Sequence, residues 1–192
     1  MTGPDTTRPA RIAVLISGRG SNMQALAAGQ GDAYEIVVVA SDRPDASGLG
    51  WALEHGLPTF ALSPKDIGKS VYEAALDGAL REAGAEWIAL AGYMRLLSDE
   101  FVARWRDRIV NIHPSLLPKY KGLDTHARAI AAGDSVAGCS VHVVTEELDG
   151  GAVLGQAEVP VLPDDDADTL AVRVLEAEHL LYPQVLREFV QR

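Results

Sequence analysis

The sequence predicts a single α/β domain in which a mostly parallel sheet is flanked by helices and finishes in an antiparallel part. Three observations carry that expectation. Short apolar runs alternate with helix-period segments through the first half of the chain. A glycine-rich turn separates the first run from the first helix. Near the end, Asp149-Gly150-Gly151 lies between two alternating runs, a hairpin signal.

Residues 11–17 (RIAVLIS) are an apolar run closing on Gly18-Arg19-Gly20, and Ser21 opens an amphipathic stretch over 22–28. That is strand, turn, helix. Residues 36–40 are nearly all β-branched, which suits a strand, and a turn cluster over 42–48 follows. Helical spacing resumes through Leu49, Trp51, Ala52 and Leu53 until Gly56 stops it. Residues 57–62 read as a third strand. Val71, Ala74, Ala75, Leu76 and Leu80 mark one face of a helix over 71–83. Residues 87–91 and 109–112 are the fourth and fifth strands. Strands apolar along their whole length need cover on both faces, as in a Rossmann-like sheet.

Beyond Gly122 the pattern changes. Residues 140–145 (SVHVVT) and 152–161 alternate more, so this part is expected to run antiparallel against the first half. The acidic run at 164–168 reads either as a metal site or as a solvated turn capping a final helix over 169–190. The cap is preferred, because carboxylates favour a helix N-terminus.

Composition narrows the ligand class. The 192 residues are 47% hydrophobic, enough for one continuous core. Asp and Glu number 27 against 17 Lys and Arg, a net charge of −10. Counterion release by Lys and Arg supplies non-specific nucleic-acid affinity, so no nucleic-acid partner is expected. An anionic ligand must be held locally, which points to a small molecule. Cys139 stands alone, which rules out an intrachain disulfide or a cysteine metal cluster. In Gly138-Cys139-Ser140-Val141 it reads as a core residue of a strand. Residues 1–10 are polar, without the apolar centre of a signal peptide, and are expected to be a frayed arm. No run reaches the roughly 18 to 20 apolar residues of a membrane span. A cytoplasmic protein with no membrane contact is expected.

Four segments carry candidate chemistry. Ser17-Gly18-Arg19-Gly20-Ser21-Asn22, between strand and helix, lets backbone N–H groups approach an anion, aided by the helix dipole. It lacks the Gly-Lys-Ser/Thr ending of an NTPase loop, and Met23 replaces the third glycine of a dinucleotide fingerprint. A monophosphate fits better than ATP or NAD; the alternative is a tight turn that needs glycine. Asn111-Ile112-His113-Pro114 follows the fifth strand, at the edge where open α/β sheets place ligands. Alternation puts Asn111 and His113 on one side with Ile112 turned to the core. An amide donor beside an imidazole suits an oxyanion and a proton transfer, although a lone histidine is often structural. Asp149 is either a turn former or, beside His113, a stabiliser of the imidazolium that raises its pKa. Met94-Arg95-Leu96-Leu97 either grips a flat heterocycle or begins the next helix. Pro114 and Pro118 stiffen a segment that Gly122 releases, a mobile cover or a rigid crossover.

Taken together, Ser17-Gly18-x-Gly20-Ser21-Asn22, Leu90-Ala91-Gly92-Tyr93-Met94-Arg95, Asn111 to Pro118 (NIHPSLLP) and Glu147-Leu148-Asp149-Gly150-Gly151 resemble the phosphoribosylglycinamide formyltransferase family. The resemblance runs from about Arg11 to the end, four blocks in order. It implies one formyltransferase domain over 11–192, with phosphate binding in the N-terminal half and folate binding and catalysis in the C-terminal half. The implied substrates are glycinamide ribonucleotide and 10-formyltetrahydrofolate, the latter a co-substrate, with no tightly bound cofactor and no metal. The implied state is a monomer or homodimer.

By the same resemblance, Gly20, Ser21 and Asn22 would bind the phosphate, and Glu178 would contact the ribonucleotide. Met94, Arg95, Leu96 and Leu97 would hold the pterin, with Lys69 and Asn111 also at the folate site. His113 would be the general acid, Asn111 would steady the oxyanion and Asp149 would raise the pKa of His113. Lys69 stands where some relatives carry Arg, and Asp124 where some carry His. Methionyl-tRNA formyltransferase is expected to add a basic RNA-binding domain after this one, and the folate-hydrolysing deformylase a regulatory domain before it. A formylfolate hydrolase and a phosphate-ligand sensor are the alternatives kept for this chain.

Overall fold

The computed structural model describes residues 8–192. Seven strands form one sheet in the order β3-β2-β1-β4-β5-β6-β7. Strands β1 (Ala10–Ile16), β2 (Tyr34–Ser41), β3 (Thr59–Ala61), β4 (Trp87–Leu90) and β5 (Ile109–His113) run parallel. Strands β6 (Val136–Val143) and β7 (Val153–Pro160) continue it antiparallel. The α/β fold with an antiparallel C-terminal part is the one the sequence predicts.

Alternation along β1 shows why the strand is apolar throughout. Ile12, Val14 and Ile16 enter one core, packed against helices α1 (Ser21–Ala28) and α6 (Ala167–Phe189) through Met23, Leu26 and Leu186. Ala13 and Leu15 enter the other, against α3 (Lys69–Glu82) and α4 (Asp99–Arg104) through Leu76 and Phe101. Both faces are therefore dry. Tyr34, Tyr182 and Trp105 are also buried, and Tyr182 spends its hydroxyl on the carbonyls of Leu90 and Val110. Cys139 is fully buried on β6, where burial pushes its thiol up to about 12, so it behaves as core.

Helix boundaries follow local chemistry. Helix α2 (Ser47–Glu54) ends ahead of Gly56, which has φ of 74°. Helix α6 opens with a capping box, in which Asp166 accepts from the Thr169 N–H and Thr169 returns a bond to Asp166. Asp165 pairs with Arg173 at 2.7 Å, which helps hold its carboxyl at about 2. The acidic run is thus a helix start.

Three details differ from the sequence reading. Residues 94–97 form a loop, and the next helix, α4, begins only at Asp99 behind its Ser98 N-cap. Helix α5 (Thr125–Ala131) lies in a stretch that carries no clear periodicity. Strand β6 starts at Val136, earlier than the run read from residue 140, and the β6–β7 hairpin closes through residues 144–152. Of the arm expected over residues 1–10, positions 1–7 lie outside the described residues; Arg8 pairs with Glu86 and Ala10 opens β1.

Strand β1 neighbours both β2 and β4, so the connections leave it in opposite directions at its carboxyl end. That reversal opens a crevice between the loops after β1 and β4, the place where open α/β sheets bind ligands.

Candidate active site

A cleft of about 920 Å³ occupies that crevice and extends across the carboxyl end of β5. Its volume is within the range of pockets that enclose drug-sized ligands. The last residues of β5 set its floor. Asn111 and His113 fall on one side of the strand, while Ile112 packs into the core, as alternation requires.

His113 is buried and flanked by two acceptors. Its Nδ1 lies 3.5 Å from Asp149 Oδ2, and its Nε2 lies 2.9 Å from the Tyr120 carbonyl oxygen. Nε2 thus has a hydrogen-bond partner within reach, and Nδ1 has a carboxylate at ion-pair distance. Asp149 reaches this position because the 144–152 loop folds back over the end of β5, with Asp149 itself at φ of 48°. Burial alone would push its carboxyl up. The hydrogen bond from His142, the Gly122 N–H at 2.8 Å and the charges of His113 and His142 outweigh burial and hold it below the usual carboxylate range.

His142 is a site residue that the sequence reading did not single out. Strands β5 and β6 pair with Asn111 opposite His142, and Asn111 Nδ2 lies 3.2 Å from His142 Nε2. His142 Nε2 also lies 3.5 Å from Asp149 Oδ1, so the carboxylate faces two imidazoles. In the sequence His142 is merely a polar residue in SVHVVT; only strand register gives it a partner. His126, on α5, lines the same cleft, with its pKa held low by burial and then by the charge of His113.

The opposite end of the cleft is built from the loop after β1. Gly20 caps α1 at φ of 71°, where an added Cβ would press on the Met23 side chain at 2.8 Å. Ser21 starts the helix, and Asn22 Nδ2 donates to Glu178 Oε2 at 2.6 Å. Asn22 and Glu178 both line the cleft and are both nearly buried; Gly20 and Ser21 precede Asn22 and are not themselves among the lining residues. Burial pushes the Glu178 carboxyl up, partly offset by the Asn22 hydrogen bond. Asn22 Oδ1 is buried with no protein partner among the described residues.

The third side is apolar. Met94, Leu96 and Leu123 are 69%, 68% and 71% exposed yet all face the cleft, as do Arg95 and Leu97. Exposed apolar residues clustered on one concave wall suit a flat heterocycle. Lys69, at the start of α3, lies on the same wall with Nζ 4.0 Å from Glu73. The cleft thus gathers an acid–amide–imidazole group, a helix N-terminus with a buried carboxylate, and an apolar wall. Among the described residues no group of His, Cys, Asp and Glu is placed to hold a metal ion, and no helix is long and apolar enough to cross a membrane.

Comparison with known proteins gives a consistent result. Residues 10–186 match the formyl transferase family. The chain is 42% identical over 185 residues to phosphoribosylglycinamide formyltransferase of Haemophilus influenzae, covering 94% of this chain and 87% of that one. It is 48% identical over 189 residues to the trifunctional purine biosynthetic protein adenosine-3 of Drosophila melanogaster, but spans 14% of that protein's length. The crystal structure of phosphoribosylglycinamide formyltransferase from Brucella melitensis superposes with a TM-score of 0.92 at 49% identity, covering 96% and 97% of the two chains.

Proposed function

The chain belongs to the formyl transferase family, and from that premise we propose that it moves the formyl group of 10-formyltetrahydrofolate to the amine of glycinamide ribonucleotide, a step of purine synthesis. The observation that carries the reading is the convergence of Asn111, His113 and Asp149 on the floor of one cleft. That cleft has a helix N-terminus with Asn22 and Glu178 at one end and the Met94 to Leu97 wall at the other.

In this reading the phosphate rests on the backbone of Gly20, Ser21 and Asn22, where the start of α1 supplies N–H donors and a positive dipole. Glu178 accepts from hydroxyl groups of the ribose. The folate lies on Met94, Arg95, Leu96 and Leu97, with Lys69 and Asn111 at its edge. The amine nitrogen bonds to the formyl carbon, and the carbonyl oxygen takes up charge. Asn111 donates from Nδ2 to that oxygen, and His113 places a second donor beside it. The bond from carbon to N10 then breaks, and the proton lost by the amine reaches N10 through His113 or a water. Asp149 balances the imidazolium throughout. Tyr120 meanwhile competes for His113 Nε2, so substrate must displace its carbonyl before that N–H can act.

The reading requires two dissolved, anionic small molecules and no tightly held cofactor. It places the chain in the cytoplasm, acting as a monomer or homodimer. The test is absorbance at the deformylated folate band with and without the ribonucleotide. Release that depends on the acceptor is expected. Release without acceptor would make the protein a hydrolase, and binding of both ligands without release would make it a sensor.

A further inference from the structure

The loop that carries Met94 to Leu97 is fastened at both ends by buried polar groups. At its start, Ser17 Oγ accepts from the Met94 N–H at 2.9 Å and donates to Asp42 Oδ1 at 2.6 Å. Ser17 sits at the end of β1 and Asp42 just beyond β2, and both are buried. The Ser17 N–H also donates to the Gly92 carbonyl at 3.1 Å. One residue before Met94, the Tyr93 hydroxyl meets that of Tyr72 on α3 at 2.9 Å. At the other end, Glu73 of α3 accepts from the Ser98 N–H at 2.8 Å and from the Ser98 hydroxyl. Glu73 is 3% exposed, and Ser98 in turn caps α4.

Between these anchors, Met94 and Leu96 stand out from the protein. An unsupported exposed loop would sample many backbone conformations, and a ligand would have to select one of them. Hydroxyl and carboxylate groups buried in the protein are costly unless each is satisfied. Here they are satisfied by the ends of this loop, which fixes its backbone amides and carbonyls before ligand arrives.

We propose that Ser17, held by Asp42, and Glu73 are positioning residues for the donor substrate: two clamps, one at each end of the 94–97 loop, that preorganise the cleft wall against which the folate heterocycle lies. This inference rests on the function proposed above. The clamps act on folate binding and leave the ribonucleotide end of the cleft untouched, because Asn22 and Glu178 share no hydrogen bond with Ser17, Asp42, Glu73 or Ser98.

The experiment uses Ser17→Ala and Glu73→Ala, with Glu73→Gln as the conservative variant that retains a carbonyl acceptor for the Ser98 N–H. Tetrahydrofolate affinity is measured calorimetrically without ribonucleotide, and both KM values are measured in the transfer assay. Each alanine variant is expected to weaken tetrahydrofolate binding and raise the formylfolate KM about tenfold, the scale of one lost hydrogen bond. The ribonucleotide KM and kcat are expected to stay within about twofold, with Glu73→Gln restoring most of the loss. Unchanged folate affinity in both alanine variants would overturn the clamps, as would a parallel rise in both KM values. If Ser17→Ala does not fold, Glu73→Ala and Glu73→Gln decide the matter alone. Wild-type protein that binds tetrahydrofolate but transfers no formyl group would sink the proposed function, while the affinity ratios would still judge the clamps.

Discussion

Asn111 and His142 face each other across the antiparallel β5–β6 pair, with Asn111 Nδ2 3.2 Å from His142 Nε2. His142 Nδ1 lies 2.9 Å from the Val143 carbonyl, and its Nε2 lies 3.5 Å from Asp149 Oδ1, so the ring sits fixed between the Asn111 amide and the carboxylate. The amide is thereby held in place at the edge of the cleft. Asn111→Ala is expected to lower kcat roughly 10²-fold, the scale of one lost oxyanion donor. His142→Ala leaves the amide in place but unoriented, and a kcat loss of about tenfold with little change in either KM is expected. Steady-state kinetics on both variants check this. A His142→Ala enzyme that loses ribonucleotide affinity instead would remove His142 from the orienting role.

Asp149 is the charge that faces both imidazoles, and Asp149→Asn isolates that charge. Asparagine tolerates the left-handed backbone at φ of 48° and still accepts from the Gly122 N–H, so the loop is retained. The expected kcat loss is about 10²-fold or more. Stability gives an independent reading. The Asp149 carboxyl is held below its ordinary value of 3.8, so its contribution is full above pH 3.8 and disappears as pH falls through the lower folded value. The melting-temperature gap between wild type and variant should therefore be open at pH 7 and shrink as pH drops below about 4. A gap that stays constant down to pH 3 would contradict the charge pairing.

The strands and the Asn111–His113 pair are the legible part of this chain, because each depends on neighbours in sequence. The apolar runs around Val14, Val38 and Ala89 announce strands buried on both faces, and alternation alone puts Asn111 and His113 on one side. What stayed hidden depends on register and loop path. His142 becomes meaningful only once β6 is paired antiparallel with β5, and the sequence fixes neither partner nor offset. Helix α5 was invisible because its seven residues, THARAIA, give too few turns for periodicity, and its N-cap, Asp124, adopts φ of 57° without a side-chain cap bond. Ser17 opens the glycine-rich motif in the sequence, whereas its hydroxyl turns away toward Asp42 and Met94.

Gly151 carries a packing constraint on the loop that holds Asp149. A Cβ there would lie 1.8 Å from the Val143 carbonyl oxygen, and that oxygen is backbone and cannot swing aside. The same carbonyl anchors His142 Nδ1. Gly151→Ala should therefore cost about 1–3 kcal/mol of stability through overpacking. For a chain of this size that is roughly 2–12 °C in Tm. Because the displaced carbonyl holds His142, kcat should fall as well, more than in Gly50→Ala, where a Cβ meets nothing within 4 Å. Thermal melts and turnover on the two variants make the comparison.

Glu178 sets function against stability. It is 6% exposed, it accepts a hydrogen bond from Asn22 at 2.6 Å, and burial raises its pKa above the ordinary 4.5. A carboxyl whose folded pKa is raised favours folding when protonated. Its contribution is full below pH 4.5 and is lost as pH rises through the higher folded value, leaving a desolvated charge above it. Glu178→Gln keeps an acceptor for Asn22 Nδ2 and removes that charge. The variant is expected to melt above wild type at pH 7 to 8, with the advantage fading as pH falls through the raised pKa toward 4.5. The ribonucleotide KM should rise at the same time, since an amide is a weaker acceptor for hydroxyl donors than a carboxylate, while the formylfolate KM holds. A variant less stable than wild type at pH 8 would mean that an unseen partner already compensates the charge.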